Sequence, residues 1–265
     1  MTDTTISPNA QLTGNVLFYR QPEPLSPEMH GTLGVNPADK PWSFLAGTHV
    51  VPLTVTEFAA AALNYPVIFV GDQKQPAAVM GLRQGDNLFV DAQGELRPDA
   101  YIPAFARRYP FVYANDEAQN RLILCVDRAA PFVAEGGAMP FFENGQPSAY
   151  TQQALEFCNS FEQERARTEG FVKLLTDLDL FETKEARFIP RNPDGTAGEP
   201  QRIAEYIAVS EEKLRALSPE KLAELRDNGA LGQIYAHLVS LLGWDRLIAM
   251  TFQRAAQQTP QAGNA

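Results

Sequence analysis

The sequence predicts an α+β fold, with an antiparallel-rich sheet in the N-terminal half, a long central helix, a β-hairpin and a helical C-terminus. Three observations predict it. Short apolar runs separated by turn residues fill residues 43–150, apolar residues recur at helical spacing through 151–180, and helix-capping residues recur from residue 210 onward. With 265 residues, of which 45% are apolar, the chain is long enough to bury a sizeable core.

Residues 1–42 are expected to form an irregular, Pro-rich N-terminal strap. Five prolines and two glycines lie between residues 21 and 41, and each proline fixes φ and removes a backbone donor. A single α+β domain is expected over residues 43–257. The last residues, 258–265, are expected to form a disordered tail.

The first half of this domain is expected to hold four short strands. Tyr65–Val70 has the apolar composition of a buried strand, and a turn at Gly71–Gln73 leads to the next one. A short helix that begins at Thr54 or Thr56 is expected to cover Glu57–Leu63, where alanine dominates. Apolar runs divided by Gly and Asp turns predict an antiparallel meander. The expected strands are residues 65–70, 77–82, 87–91 and 122–126.

Residues 151–180 are expected to form one long helix with Thr151 as its N-cap. Gly170 lowers the stability of the middle of this helix by about 1 kcal/mol relative to alanine. A hairpin is expected next, in which Arg187–Ile189 and Ile203–Val209 flank a turn at Asp194-Gly195. The Asp-Gly pair predicts that turn because glycine supplies a positive φ.

The C-terminal part is expected to be helical. Ser210 and Ser218 are the expected N-caps, and Pro219 takes the first helical position after the second cap. The pair Asn228-Gly229 is expected to end that helix, and a last helix is expected to run from residue 231 to residue 257.

The chain is acidic, since 22 Lys and Arg against 32 Asp and Glu give a formal net charge of −10. That charge repels phosphate backbones and argues against nucleic-acid binding. The N-terminus lacks a basic region followed by an apolar run, and no apolar stretch is long enough to span a bilayer, so we expect a cytoplasmic protein. Cys125 and Cys158 are expected to be buried thiols rather than part of a disulfide framework.

The sequence contains no catalytic or metal-binding motif among those tested. His30, His49 and His237 lie far apart, and His237 is expected to be structural. There is no Gly-x-Ser-x-Gly elbow for serine hydrolysis and no Gly-x-x-x-x-Gly-Lys-[Ser/Thr] loop for nucleotide hydrolysis. We therefore expect no metal and no cofactor, and we favour a non-catalytic protein.

The most unusual segment is Asp99–Phe111, which combines aromatic rings, prolines and two adjacent arginines. Guanidinium groups bind carboxylate or phosphate in a bidentate manner and stack on rings, so the segment is a candidate anion clamp. The alternative is that both arginines pair with nearby acids and the rings belong to the core. The candidate ligand- or partner-binding residues are Tyr101, Phe105, Arg107, Arg108 and Tyr109.

Several segments rich in Gly, Pro and aromatic residues carry a family resemblance. They are Asn64–Phe69, Gly81–Leu82, Gly85–Asp91, Tyr101–Pro103, Arg107–Phe111, Phe141–Pro147 and Leu222–Ser240. In these segments, and in their order from about residue 43 to residue 253, the chain resembles the SapC family of bacterial proteins, whose name refers to the secretion of surface-array proteins.

The resemblance implies a supporting role rather than a defined reaction. Members of this family have no settled enzymatic activity, and their genes often lie near those for outer-membrane receptors, flavin-dependent halogenase-like proteins and cupin-like oxygenases. This implies work in a nutrient-uptake or surface-modification system. The family supplies no catalytic residue set that can be transferred to this chain.

Three hypotheses about function follow. The first is a non-catalytic binding or adaptor protein that presents a sheet face and the segment with Arg107 and Arg108 to a protein or peptide partner. The second is a binding protein or enzyme for a small anionic ligand, which the segment with Arg107 and Arg108 would hold. The third is a structural subunit that oligomerises through the C-terminal helices.

Overall fold

The computed structural model describes residues 16–91, 93–116, 121–190 and 196–258. The strands are β1 (Pro22–Pro24), β2 (Leu33–Val35), β3 (Val50–Pro52), β4 (Val67–Val70), β5 (Gln75–Val79), β6 (Phe111–Asp116), β7 (Arg121–Asp127), β8 (Val133–Glu135), β9 (Met139–Pro140), β10 (Phe142–Glu143), β11 (Gln146–Pro147), β12 (Phe181–Phe188) and β13 (Gln201–Val209). The α-helices are α1 (Pro27–His30), α2 (Phe58–Ala61), α3 (Ala104–Arg107), α4 (Ala149–Asp177), α5 (Glu211–Arg215), α6 (Pro219–Asp227), α7 (Ala230–Ser240) and α8 (Gly243–Gln258), with 3-10 turns at Ser43–Leu45 and Val55–Glu57.

The chain divides into two compact units. Unit 1 comprises Met1–Phe44 and Phe105–Gln163, and unit 2 comprises Leu45–Ala104 and Glu164–Ala265. The single folding domain expected over residues 43–257 stays a prediction, because compactness alone does not establish which segments unfold together.

Unit 1 is built from short antiparallel strands around an aromatic core. In one sheet the strand order is β1-β7-β6, and in another it is β8-β2-β9. The segment expected to be irregular therefore contributes two strands. Pro22 and Pro24 are accommodated because β1 is an edge strand. Gly34 in β2 is required by close approach, since a Cβ there would lie 2.5 Å from the Met139 carbonyl oxygen.

Unit 2 holds a five-stranded antiparallel sheet of order β12-β13-β4-β5-β3. β12 and β13 form the expected hairpin, and β13 joins it to β4 through the pair Ile207 and Phe69. The expected hairpin turn at Asp194-Gly195 lies outside the described residues. These elements confirm the predicted α+β class, the antiparallel sheet, the long central helix and the helical C-terminus.

The expected third strand at residues 87–91 is wrong. These residues form turns with one isolated bridge between Val90 and Leu96. The buried Asn87 amide donates to the Leu45 and Thr48 carbonyls, and the Arg254 guanidinium donates to the carbonyls of Asn87 and Val90. The Arg254 side chain therefore binds two carbonyls of this segment that a neighbouring strand would otherwise bind.

Two expected helix boundaries are also wrong. Ser148 caps α4, since its Oγ accepts from the Thr151 N–H, and the Thr151 hydroxyl donates instead to the Phe141 carbonyl. The last expected helix is two helices, α7 and α8, joined at residues 241–242. Successive N–H groups there bond three residues back rather than four, which tightens the chain and interrupts the α-helix.

Other local predictions are confirmed, with one exception. α4 runs through Gly170 without a break. Ser218 caps α6 with Pro219 at the first helical position, as expected. The expected cap at Ser210 is wrong, because Ser210 precedes α5 without a side-chain hydrogen bond to the first turn. Cys125 and Cys158 are free buried thiols, and burial raises the pKa of each to about 11.

Candidate functional site

The predicted binding segment divides between the two units at residues 104 and 105. Tyr101 belongs to unit 2, and the other four residues belong to unit 1. α3 supplies a single helical turn in the middle of the segment. Arg107 is exposed and Arg108 is 8% exposed, so the adjacent arginines face different surroundings.

Arg108 lies among aromatic rings of unit 1. Its guanidinium carbon is 4.2 Å from the ring centroid of Phe105, 4.6 Å from that of Phe161 and 5.9 Å from that of Tyr19. These distances allow cation–π attraction to several rings. The nearest carboxylate oxygen, on Glu162, is 3.9 Å from Nη1, and the buried Nε has no hydrogen-bond partner. A buried donor without a partner is costly, so the Arg108 Nε is an unfavourable feature of this segment.

Arg107 contacts a different ring on the same unit. Its guanidinium carbon lies 5.3 Å from the ring centroid of Phe157, on the N-terminal half of α4. At an exposed site such a contact contributes about 0.5–1 kcal/mol. Arg107 therefore offers a solvent-facing charge, whereas Arg108 is enclosed by rings.

Tyr109 takes part in a buried polar cluster. Its hydroxyl donates to Asp127 Oδ2 at 2.9 Å, and the fully buried Asp127 also accepts from the N–H groups of Arg20 and Gln21. Burial raises the pKa of the Tyr109 hydroxyl, and the hydrogen bond to Asp127 raises it further. The hydroxyl therefore stays protonated and holds the start of β6 against the end of β7.

Tyr101 has an equivalent structural role in unit 2. Its hydroxyl donates to Glu57 Oε1 at 2.9 Å, and Glu57 also accepts from the Ala104 N–H at 2.6 Å. Sequence reasoning missed Glu57, although Thr54 and Glu57 have the spacing of a capping box, and both of that motif's bonds form. The buried carboxylate thus fastens residues 101–104 to the turn that precedes α2.

The histidines and acidic residues of the described segments have structural partners where their contacts are known. No group of three or more His, Cys, Asp or Glu side chains among them is arranged to hold a metal ion. His237 is fully buried: its Nε2 accepts from the Val209 N–H at 3.0 Å, and its Nδ1 lies 2.8 Å from the Val67 carbonyl oxygen. This confirms a structural histidine that joins α7 to strands β4 and β13.

The outer side of α7 exposes apolar side chains, which sequence reasoning assigned to a helix without recognising a surface. We call Tyr235, Val239 and Leu242 the α7 face. They are 54%, 58% and 78% exposed; Tyr235 and Val239 lie about one turn apart on α7, and Leu242 follows in the junction between α7 and α8. The chain has no Asp, Glu, Lys or Arg between Asp227 and Asp245, so this face carries no charge of its own.

Leu63 is another exposed apolar residue of unit 2. It is 78% exposed, and its carbonyl accepts from the Arg246 guanidinium at 3.2 Å, close to the start of α8. Arg246 also pairs with Asp99 at 3.0 Å, which places charges beside Leu63. Contiguous exposed apolar surface bordered by polar groups marks interaction sites in soluble proteins.

In the part of the chain that is described, no helix has the length and apolar character needed to cross a membrane.

Comparisons with known proteins identify the family. The family model named SapC matches residues 25–247, which is most of the chain. No curated protein and no solved structure matches the chain. The matched range contains the segments that carried the resemblance in sequence, and it begins before the resemblance did. The chain belongs to the SapC family.

Proposed function

We propose that this protein is a non-catalytic binding protein that recognises a protein partner through the α7 face. The observation that carries the proposal is a set of exposed apolar side chains on α7 and on the junction that follows it, in a stretch of sequence without charged residues. Water contact with such a surface is unfavourable, and a partner that covers it removes that cost.

Burial of this face by a partner would contribute a substantial part of the free energy of binding. Full burial of a large apolar side chain stabilises by about 1.5–3 kcal/mol. Tyr235, Val239 and Leu242 are each more than half exposed, so together they offer several kcal/mol to a partner. Binding also costs translational freedom, and a complex therefore needs further contacts around this face.

The chemistry of the partner follows from charge. The chain carries −10, so a second copy is repelled at long range, whereas a partner with basic residues around an apolar centre is attracted. We infer a partner whose surface has an apolar helix or patch with a basic rim. Together with the resemblance to the SapC family, this supports an adaptor in a bacterial nutrient-uptake or surface-modification system, and we propose that it acts in the cytoplasm.

The test compares two matched double variants in capture from the source bacterium. Val239→Glu with Leu242→Glu places two negative charges on the α7 face. Met29→Glu with Leu122→Glu places the same charges on exposed apolar positions of unit 1. We expect a partner to be captured by the wild type and by the control, and to be lost with the α7 variant.

The captured partner must then form a complex from two purified proteins. The proposal requires stoichiometric binding that the α7 variant weakens by at least about tenfold, which corresponds to 1.4 kcal/mol. Equal capture by all three proteins contradicts the α7 face as the site. A wild-type homodimer that the α7 variant dissociates shows instead that the occupant is a second copy.

A second candidate function is the binding of a small anion at Arg108, which its unpartnered Nε favours. Phosphate is the probe, and sodium chloride of equal ionic strength is the control. We expect phosphate to raise the thermal midpoint of the wild type, and we expect no rise in Arg108→Met, whose apolar side chain fills a similar space. An equal rise in both proteins contradicts an anion site at Arg108.

A further inference from the structure

A cavity of about 380 Å³ lies within unit 2, and no residue of the α7 face lines it. Its walls come from the turn before α2, from the C-terminal half of α4, and from the junction of α6 and α7. This volume is within the range of small-molecule sites in proteins.

Gly170 keeps the cavity open on the α4 side. A Cβ placed on it would meet no heavy atom within 4 Å, and Gly170 lines the cavity. Gly170 is also exposed, so a larger side chain at this point of the cavity wall would meet no backbone clash. Glycine in the interior of a long helix is unfavourable, so the sequence leaves this space open at a cost in helix stability.

A second exposed glycine, Gly229, lines the cavity at the junction of α6 and α7. Gly229 has a φ of +80°, and a Cβ there would also meet no heavy atom within 4 Å. Its positive φ accounts for the glycine, because the chain turns sharply between the two helices. The cavity is thus bordered by two positions without side chains.

The remaining wall residues combine an apolar body with a few polar groups. Phe171 and Val55 are buried apolar residues, and Leu174 adds to the same surface. The buried side-chain oxygen of Gln233 has no hydrogen-bond partner. Arg167 is 66% exposed, and one of its nitrogens lies 3.4 Å from a Glu164 oxygen, so it stands at the rim.

We propose that this cavity binds a small carboxylic acid that has an apolar ring or branched body and a hydroxyl group. The body packs on Phe171 and Leu174, the hydroxyl donates to the Gln233 oxygen, and the carboxylate lies towards Arg167. Each part of the ligand then matches one group of the wall, and the unpartnered oxygen gains a donor. The site is independent of the protein partner proposed for the α7 face.

The first experiment uses 4-hydroxyphenylacetate as the probe and follows amide shifts of the full, isotope-labelled chain by NMR. We expect the amides of Gly170, Gly229 and Gln233 to shift with the probe. Gly170→Leu fills the cavity and is expected to weaken binding by at least about tenfold. The matched control is Gly232→Leu, because Gly232 is a helical glycine that has open space around it and does not line the cavity. This variant should bind the probe as the wild type does.

The second experiment separates the polar groups by changing the probe. Phenylacetate lacks the hydroxyl, and 4-hydroxyphenylethanol lacks the carboxylate. We expect Gln233→Leu to remove the preference for the hydroxylated acid, and Arg167→Met to remove the preference for the acid over the alcohol. Binding that is weaker than about 1 mM for every probe, or shifts confined to residues outside the cavity, overturns the proposal. If a variant fails to fold, the amide shifts of the wild type still show whether the probe binds at the cavity.

Discussion

At the scale of single residues, the Tyr109 hydroxyl is expected to matter for stability, although its position beside two arginines suggested binding. Tyr109→Phe removes a donor from the buried Asp127 carboxylate, and we expect it to lower the free energy of unfolding by about 1.5–3 kcal/mol. Tyr113→Phe is the control, because that hydroxyl donates to the exposed Asn159 at 2.8 Å and its loss should cost no more than about 0.5 kcal/mol.

Urea unfolding of both variants checks this prediction. Equal and small losses would show that the Asp127 cluster contributes little. A large loss of stability for Tyr113→Phe alone would show that the Tyr113 hydroxyl, and not the Tyr109 hydroxyl, stabilises the fold.

His237 is expected to make stability depend on pH. Burial lowers its pKa to about 4 from the ordinary value of 6.5. Above pH 6.5 the imidazole is neutral in both states and contributes no pH dependence. As the pH falls from 6.5 towards 4, the unfolded chain binds a proton that the folded chain does not, so stability is lost.

The loss assigned to His237 between pH 7 and pH 5 is about 2 kcal/mol. His237→Gln keeps a donor and an acceptor near the Val67 carbonyl and the Val209 N–H but does not titrate. We expect the variant to lose about that much less stability than the wild type over the same interval, as measured by urea unfolding at both pH values. Identical losses would contradict this assignment, because carboxylates contribute equally to both proteins.

At the scale of elements, two glycines of unit 2 should respond in opposite directions to alanine. Gly170→Ala introduces a methyl group into open space within α4 and is expected to stabilise by up to about 1 kcal/mol. Gly229→Ala also meets open space, but its φ of +80° disfavours a side chain, and we expect a loss of about 1 kcal/mol.

Thermal and urea unfolding of the two variants measure this difference. A destabilised Gly170→Ala would show that the space beside α4 is not free in solution. That result would also weaken the case for the cavity, independently of any probe.

Elements were predictable from sequence where the local pattern agreed with the tertiary surroundings. The long helix followed from apolar residues at helical spacing, β4 from a continuous apolar run, and the hairpin from two segments that flank an Asp-Gly pair. Residues 87–91 had the same apolar pattern as a strand, but the Asn87 amide and the distant Arg254 bind the nearby backbone. No local pattern reveals a partner that lies 167 residues away.

The candidate site was less predictable for a related reason. Tyr101 and Tyr109 were chosen for their composition, and the acids that bind them, Glu57 and Asp127, lie in other segments. Leu242 was counted among the apolar positions of a helix, and only the three-dimensional packing shows that it is 78% exposed. From sequence alone, a helix without charged residues is predicted to be buried, and only its neighbours in the fold show which side is exposed.

At the scale of the whole molecule, the net charge and the α7 face have opposite effects on self-association: the charge disfavours it and the exposed apolar face favours it. The charge of −10 keeps copies apart near neutral pH, and this repulsion vanishes near the pI of about 4.9. We therefore expect light scattering to show association of the wild type as the pH approaches 5. Val239→Glu with Leu242→Glu should reduce that association.

The control for this experiment is again Met29→Glu with Leu122→Glu, which changes the net charge equally. If the control suppresses association as strongly as the α7 variant, charge alone governs it. Circular dichroism at each pH confirms that the compared proteins remain folded, since His237 lowers stability in the same interval.

The order of strands in unit 2 has a consequence during synthesis. β4 lies between β5 and β13, and residue 209 is translated 139 residues after residue 70. At a translation rate of about 5–20 residues per second, one edge of the apolar strand Val67–Val70 stays unpaired for roughly 7–30 s until β13 is synthesised. An open strand edge pairs readily with other chains. Ribosome-bound chains that end before β13 are therefore the form of this protein with the greatest need of a chaperone.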